Sequence, residues 1–427
     1  MSLAEATSSP SLHHPSLRAA LPVWVKIGLL SFGGPAGQIA LMHREVVERR
    51  RWIDDERYLH ALNYCMALPG PEAQQLSIYL GWLLHGVRGG LIAGTLFVLP
   101  GALLMLAISY AYVLGGSTPW LGALFYGLKA AVLALVAGAL LRIGGKVLKD
   151  TGSWLIAGGA FVALFVFEMP LPWLMASACA IGLMAYRTVP PNGRTPVHAG
   201  TRPSITRTLC TVMIWLLIWM APLIVVIAST GREQLLAQQG MFFAKAALIT
   251  FGGAYSVLPY VAHHAVETAG WLTAAQMMDG LALAETTPGP LILVLQYVGF
   301  LGGWQHAGTW SPSLLAAAAS ALTTWMVFMP GFLFIFAGAP WIEYTRRLDA
   351  LTGVMRAISA TVLGVILNLS IWFGWHTVLP ESGKLDLLPL GFGVVLLIAL
   401  RRYRLDALVV VAIAAAAGLL LHAAGLR

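Results

Sequence analysis

Apolar stretches long enough to cross a lipid bilayer recur along nearly the whole chain. One of them, residues 208–230, reads TLCTVMIWLLIWMAPLIVVIAST. Because an α-helix rises 1.5 Å per residue, about 20 such residues span the hydrocarbon core of a membrane. The stretches lack the alternating apolar and polar pattern of a membrane β-barrel. The sequence therefore predicts an all-α integral membrane protein.

Composition excludes several other classes of protein. Only 10% of the 427 residues are charged, whereas a soluble protein of this length has about a quarter. The net charge of +8 comes from short basic clusters between apolar stretches, where cytoplasmic loops collect Lys and Arg, so we expect no nucleic-acid partner. The three cysteines have neither disulfide nor metal-ligand spacing, and we expect no metal site and no cofactor.

Two motifs occur twice at one ungapped offset. SFGGP (31–35) and TFGGA (250–254) are 219 residues apart, as are Pro69-Gly70-Pro71 and Pro288-Gly289-Pro290. An internal repeat of this kind defines an architecture. The chain divides into a cytoplasmic tail, an N-terminal repeat, a linker with one membrane helix and a C-terminal repeat. Their bounds are 1–20, 21–186, 187–239 and 240–427.

The charges between the motifs predict that the two repeats have opposite orientations in the membrane. Residues 43–58 contain five arginines, and their counterpart 262–277 contains neither Lys nor Arg. Cytoplasmic loops are enriched in Lys and Arg. We therefore expect 43–58 to be cytoplasmic and 262–277 external, with helix 208–230 as the odd crossing that inverts the second repeat.

The number of full crossings follows from the same rule. Up to 13 apolar segments are present, and counting each as a full crossing would place a basic cluster outside. The conflict disappears if four segments, each with a Gly/Pro break, are re-entrant hairpins that enter and leave on one side. About nine full spans then remain. The predicted hairpins are 21–42, 59–86, 241–262 and 279–304.

The Gly/Pro breaks are candidate anion sites. A helix interrupted inside a membrane leaves backbone groups that only protein or a water-filled cavity can satisfy. Proline starts a helix well, and the free N–H groups just after it form a donor cluster at the positive helix end. A single break is more often a kink or a packing feature, but paired breaks in inverted repeats indicate a transporter's central site. The predicted site residues are Gly33, Gly34, Pro35, Pro69, Gly70, Pro71, Gly252, Gly253, Pro288, Gly289 and Pro290.

Polar side chains close to the breaks add to this site. Gln38, Gln74 and Gln75 are candidate donors to the anion, with hydrogen bonds between helices as an equal alternative. Glu72 and Glu285 adjoin the PGP motifs. An ionised carboxylate repels an anion, and acidic residues inside a membrane are usually functional, so both are candidate proton-coupling groups. The alternative for Glu72 is a carboxylate that caps its own helix.

Two basic residues lie inside apolar segments, one in each repeat. Lys129 lies within LFYGLKAAVLALVAG, and Arg356 lies within LTGVMRAISATVLG. A cation in each half would offset the charge of a divalent anion. The alternative is that the long side chains reach back to the membrane surface, which is more plausible for Arg356 because Arg346 and Arg347 lie nearby.

Four sequence blocks together resemble the chromate ion transporter family. The resemblance extends over nearly the whole chain from about residue 20, except that TFGGAYSVLP lacks the proline after its GG. It implies a two-domain multi-pass protein of the bacterial inner membrane, surrounded by lipid, that exports chromate by using the membrane potential or a proton gradient. The blocks are SFGGPAGQIALM (31–42), RRWIDDERYLHALNYCMALPGPEAQQLSIYLGW (50–82), TFGGAYSVLPYV (250–261) and GWLTAAQMMDGLALAETTPGPLILVLQYVGFLGG (270–303).

Other functions are compatible with the same residues. Sulfate or another tetrahedral oxyanion has the same shape and charge as chromate, so backbone donors would hardly distinguish them. A membrane enzyme acting on a phosphorylated lipid would need a recurring constellation of Asp, His, Glu and Arg. The two acidic sites here are isolated, and we therefore expect no enzyme. A channel would differ in showing no saturation of flux. A homodimer is compatible with the sequence.

Overall fold

The computed structural model describes residues 14–32, 34–115, 118–188, 203–345, 349–379, 385–403 and 405–425. These residues form helices and no β-strand. Helix α4 bends at His85 and Gly86, whose backbone angles are not helical. The N-terminal half contains α1 (Leu17–Leu29), α2 (Gly34–His43), α3 (Asp55–Ala67), α4 (Glu72–Gly115), α5 (Pro119–Val147), α6 (Thr151–Phe165) and α7 (Leu171–Thr188).

The linker helix and the C-terminal half follow. The linker contributes α8 (Ile205–Thr230). The second half contains α9 (Leu235–Ile249), α10 (Leu258–Ala262), α11 (Ala274–Thr286), α12 (Val294–Gln305), α13 (Pro312–Thr345), α14 (Asp349–Val378), α15 (Leu388–Tyr403) and α16 (Ala407–Ala423).

Local structure repeats at the offset of the sequence motifs. Helices α3 and α11 begin and end at residues 219 positions apart, and so do the π-helical turns Arg44–Arg49 and His263–Thr268. Asp54 caps α3, and the equivalent Thr273 caps α11. The two halves therefore share one local fold between their broken motifs, although few side chains in this region are the same.

Five of the described helices are long and apolar enough to span a membrane, which confirms the predicted all-helical membrane architecture. Helix α6 has 15 residues, so it is about 22 Å long and shorter than a hydrocarbon core of about 30 Å. The count of nine full spans stays a prediction. The five long helices are Glu72–Gly115, Pro119–Val147, Ile205–Thr230, Pro312–Tyr344 and Gly353–Val378.

The last two helices of each half pack against the long central helix of the other half. Helix α5 packs against α15 and α16 of the second half, and α14 packs against α6 and α7 of the first. Small residues permit these close approaches. A Cβ placed on Gly127 of α5 would lie 2.0 Å from the carbonyl oxygen of Ala414, and one on Gly364 of α14 would lie 2.4 Å from that of Ala157. The two halves are interlocked.

The central helices α5 and α14 are antiparallel. Tyr126, near the start of α5, donates hydrogen bonds to Asp386, whose own N–H bonds to Val378 at the end of α14. At the other end, Arg356 near the start of α14 forms an ion pair with Asp150, just after the end of α5. Tyr126 of α5 thus binds the aspartate that precedes α15 in the second half, and Arg356 of α14 binds the aspartate that precedes α6 in the first half.

Candidate functional site

Backbone hydrogen bonds join the broken motifs of the two halves reciprocally. The N–H of Gly70 donates to the carbonyl oxygen of Thr250 at 2.6 Å, and the N–H of Gly289 donates to that of Ser31 at 2.9 Å. The 3₁₀ turns that follow Gly253 and Pro290 also pack together, which brings both pairs into one region. We call this region the motif crossing. It comprises Ser31, Phe32, Gly34, Pro35, 69–71, 250–253 and 288–290, while Gly33 lies outside the described residues.

The PGP glycines allow this chain path. Gly70 has φ +116° and Gly289 has φ +100°, a region that glycine adopts without strain. A Cβ on Gly70 would also lie 2.8 Å from Nε2 of Gln75. Because the N–H groups of both glycines bond the opposite half, these two donors are occupied, and any free donors must come from the helical turns that follow.

The first half provides such a turn. Helix α4 begins directly after Pro71, and its first backbone bond runs from the Gln75 N–H to the Pro71 carbonyl at 3.0 Å. The N–H groups of residues 72–74 therefore have no acceptor within the helix. Pro35 lies at the second position of α2. Both prolines thus stand at helix starts, as the sequence predicts.

The second half differs in its helix starts. Pro290 precedes a 3₁₀ turn, Leu291–Leu293, before α12 begins. The TFGG motif is followed by a 3₁₀ turn and by the short helix α10, which has Pro259 near its start. The proline missing after GG therefore has a substitute a few residues later, but the half-helix starts of the second half are less regular than those of the first.

The three predicted glutamines satisfy carbonyl groups near the breaks. Nε2 of Gln38 donates to the carbonyl oxygen of Gly289 at 2.6 Å. Gln74 and Gln75 donate to carbonyl oxygens of α13 and of the first PGP motif, at 3.3 and 2.6 Å. Their own amide oxygens are buried without a partner in the described structure. Only Gln74 thus bonds another helix, whereas Gln38 and Gln75 bond the broken motifs themselves.

Glu72 lies across from the second FGG motif. A Cβ on Gly253 would lie 3.7 Å from Oε1 of Glu72, so this carboxylate reaches the opposite half from the first turn of α4. None of the described residues gives it a hydrogen bond or an ion pair. Glu72 therefore lies at the motif crossing beside the free N–H groups of its own helix, which suits both a coupling role and a capping role.

Glu285 is the second acidic group at the motif crossing. It is 7% exposed and accepts a hydrogen bond from the hydroxyl of Tyr255, which lies two residues after Gly253. Helix α11 therefore places this carboxylate just before the second PGP motif and against the turn that follows the second FGG motif.

Helix α14 packs against α5 and against the 3₁₀ turn that follows the second FGG motif. A Cβ on Gly252 would lie 3.3 Å from Val362 of α14, and one on Gly144 would lie 3.7 Å from the adjacent Leu363. Two neighbouring residues of α14 thus link the second FGG motif to the end of α5 that carries Arg142.

Lys129 lies elsewhere. It is within electrostatic range of Asp279, a buried carboxylate that accepts a hydrogen bond of 2.9 Å from the hydroxyl of Tyr112. Asp279 precedes the end of α11 by seven residues, about 10 Å along the helix axis. The structure therefore groups Lys129 with Asp279, at a distance from the motif crossing.

Arg356 is not part of the motif crossing either. Its side chain is 60% exposed and forms an ion pair with Asp150. Asp150 is the N-cap of α6 and accepts the N–H of Ser153 at 2.9 Å. Arg356 thus joins two helix ends. This exposed position is more typical of a side chain that reaches back to the membrane surface than of a side chain in a binding site.

Sequence reasoning missed Tyr255 and Asp279. Asp279 carries the signal that singled out Glu72 and Glu285, an acidic residue in an apolar segment. Only the fold brings Tyr255 to Glu285, because 30 residues separate them. Within the described ranges, no three His, Cys, Asp or Glu side chains form a group that could hold a metal ion.

Comparisons with known proteins agree with these motifs. The model of the chromate transporter family matches residues 19–183 and 237–419. A chromate transport protein of Pseudomonas aeruginosa is 34% identical over 363 residues, which cover 84% of this chain and 80% of that protein. One from Cupriavidus metallidurans is 30% identical over 370 residues, covering 85% and 84%. YwrB of Bacillus subtilis, an uncharacterized transporter, is 33% identical over 156 residues, 36% of this chain and 77% of that protein. No solved structure matches.

Proposed function

Because this chain belongs to the chromate transporter family, we propose that it is a secondary active transporter that exports chromate from the cytoplasm across the bacterial inner membrane. The reciprocal hydrogen bonds between Gly70 and Thr250 and between Gly289 and Ser31 carry the proposal. Each bond joins one half to the other at a break in the backbone. A movement of one half against the other would therefore rearrange the site where both meet, as alternating access requires.

The oxyanion binds in this proposal at the motif crossing near the middle of the bilayer. The free N–H groups of residues 72–74 point from a helix start whose dipole favours an anion. The side chain of Glu72, the first residue of this helix, reaches the other half, where its Oε1 would lie 3.7 Å from a Cβ on Gly253. The turn after Pro290 contributes donors from the second half, and Glu72 and Glu285 stay candidates for proton coupling because both adjoin these donors.

Inversion of the repeats is part of the same proposal. The antiparallel arrangement of α5 and α14, which are equivalent long helices, supports it. The excess of arginines in 43–58 over 262–277 supports it independently. The four hairpins and nine spans follow from this orientation.

A divalent oxyanion needs more positive charge than helix ends provide, because each supplies only about half an elementary charge. Lys129 stays in the proposal as a cation of the transport path, since no described residue forms an ion pair or hydrogen bond with its ammonium group. Arg356 has a smaller part, because Asp150 already neutralises it.

The experiment that tests this function is counterflow in liposomes. Purified protein is reconstituted, the vesicles are loaded with unlabelled chromate, and uptake of labelled chromate is followed against its concentration. We expect transient, saturable accumulation that collapses without internal chromate. Parallel assays with labelled sulfate decide between the two oxyanions. Flux that rises without saturation would indicate a channel, and an absence of exchange of either anion would contradict the proposal.

A further inference from the structure

Two carboxylates of the second half each bind a tyrosine of α4 in the first half. Glu343 of α13 accepts a hydrogen bond of 2.8 Å from Tyr79 and forms an ion pair of 3.0 Å with Arg57 of α3. Asp279 of α11 accepts a hydrogen bond of 2.9 Å from Tyr112. We call these the Glu343–Tyr79 contact and the Asp279–Tyr112 contact. Both join one half to the other.

The two contacts lie on opposite sides of the motif crossing. Gly101 of α4 packs against this crossing, since a Cβ there would lie 2.2 Å from a carbonyl oxygen of the second PGP motif. Tyr112 follows Gly101 by 11 residues, about 16 Å along the helix axis. Gly90 precedes Gly101 by the same number, and a Cβ on Gly90 would lie 3.1 Å from the carbonyl oxygen of Ile78, the neighbour of Tyr79. The motif crossing therefore lies between the two contacts.

Equivalent helices of the two halves form the contacts. Asp279 lies on α11, which is equivalent to the helix α3 that carries Arg57. The motifs Pro100-Gly101 and Pro330-Gly331 are 230 residues apart, and the same offset relates Glu343 to residue 113, which adjoins Tyr112. The contacts are thus two copies of one arrangement, one copy on each side of the motif crossing.

The copies differ in their charge balance. Arg57 neutralises Glu343, but none of the described Lys, Arg or His side chains forms an ion pair with Asp279. Asp279 is 7% exposed, and its Oδ1 is buried without a hydrogen-bond partner among the described residues. Tyr297, whose ring centre lies 5.5 Å from that of Tyr112, is fully buried beside it. An ionised carboxylate with a single neutral donor is costly in such a place, and burial favours its neutral form.

We infer that Asp279 binds a proton when the Asp279–Tyr112 contact closes and releases it when α4 and α11 separate, so that the proton takes the part that Arg57 has at Glu343. This assignment rests on the proposed function, whose orientation places the start of α11 outside. The proton comes from water and returns to water, and no other bond to Asp279 changes. Acid therefore favours closure of the external side, and an ionised Asp279 beside the open side repels an anion that would return.

Other titratable groups surround Asp279 on the helices that pack against α11. Lys129 lies one turn of α5 after Phe125, whose ring centre lies 5.0 Å from that of Tyr112, so Lys129 lies on the same face of α5. Glu285 lies six residues further along α11 itself. The groups on the packed helices are Tyr112 of α4, Tyr126 and Lys129 of α5, Tyr297 of α12, His376 of α14 and His422 of α16.

The test is hydrogen–deuterium exchange of the purified full-length protein without any substrate. Exchange is followed in the segments 105–115 and 274–286, and each rate is divided by the intrinsic rate at that pH. We expect both segments of the wild type to exchange faster in alkali than in acid, because ionisation of Asp279 separates them. Asp279→Asn keeps an acceptor for Tyr112 without a charge. It should exchange slowly at every pH, about tenfold more slowly than the wild type in alkali.

Two further variants test the contact itself. Tyr112→Phe keeps the ring but removes the donor, so both segments should exchange faster than in the wild type in acid. Asp386→Asn is the matched control, since Asp386 also accepts hydrogen bonds from a tyrosine, Tyr126, at the other end of the chain's central packing. It should keep the pH dependence of the wild type.

The outcomes separate the proton site from the proposed function. Exchange that does not depend on pH in the wild type would overturn the proton site, as would wild-type pH dependence in Asp279→Asn, which would assign the titration to His376, His422 or Glu285. Wild-type exchange in Tyr112→Phe would overturn it too. Failure of the wild type to exchange any oxyanion in liposomes would instead remove the proposed function, whereas the deuterium measurement uses no oxyanion.

Discussion

At the residue scale, the PGP glycines hold the two halves together. Gly70 has φ +116°, so Gly70→Ala places a side chain in a backbone region that costs about 1–3 kcal/mol. We expect Gly70→Ala and Gly289→Ala to unfold at lower temperature in detergent and to lose chromate exchange. Gly122→Ala is the control, because a Cβ there meets nothing within 4 Å. Equal stability of Gly70→Ala and Gly122→Ala would contradict the role given to the inter-half hydrogen bonds.

Lys129 is the second residue-scale test. Lys129→Gln should weaken chromate affinity while the protein stays folded, and Lys129→Arg should retain part of the affinity, because a guanidinium keeps the charge but differs in reach. Arg356→Gln should have a smaller effect, since its side chain is 60% exposed and paired with Asp150. Titration with chromate measures all three. Wild-type affinity in Lys129→Gln would remove Lys129 from the transport path.

Glu45 stabilises the proposed cytoplasmic face. Its side chain is fully buried among Lys26, Arg49 and Arg50. Burial alone would raise the pKa of Glu45, but the bonds to Lys26 and Arg50 lower it below its usual value. A lowered pKa stabilises the fold above the ordinary pKa of glutamate, and this stabilisation is lost as the pH falls through the lowered value. Glu45→Gln should therefore lower the unfolding temperature at neutral pH, and the difference should vanish in acid. A difference that persists in acid would argue against this charge cluster.

At the element scale, close contact between the halves depends on small residues. A Cβ on Gly127 of α5 would lie 2.0 Å from the carbonyl oxygen of Ala414 in α16. Gly127→Val should therefore separate α5 from α16 and markedly lower the unfolding temperature. Gly122→Val introduces the same side chain on the same helix, where a Cβ meets nothing, and should unfold near the wild type. Similar losses in both variants would point to helix propensity instead of packing.

The sequence predicts the positions of the helices better than it predicts which helices pack against each other. Apolar length and composition indicate the long helices, and the 219-residue offset locates the motifs that meet in the structure. The exchange of α6, α7, α15 and α16 between the halves is invisible in sequence, because apolar faces of membrane helices carry no signal of their partner. Tyr255 was missed for a similar reason. Its hydrogen bond to Glu285 depends on α11, which brings that carboxylate against the turn after the second FGG motif.

At the scale of the whole molecule, we propose that two halves of opposite orientation share a single oxyanion site. The interlocked helices and the reciprocal bonds of Gly70 and Gly289 explain why a single half would lack a complete site. If the halves were parallel in the membrane, the equivalent segments 43–58 and 262–277 would lie on the same side.

Labelling of single cysteines with a membrane-impermeant reagent tests this claim most directly. Cys65, Cys179 and Cys210 are first replaced, and single cysteines are then placed at Asp55 and at Thr273, which are both exposed at helix starts. In intact cells, we expect the reagent to label the cysteine at 273, whereas labelling at 55 should require permeabilised membranes. Labelling of both positions from the same side would contradict the inverted arrangement and the shared site built on it.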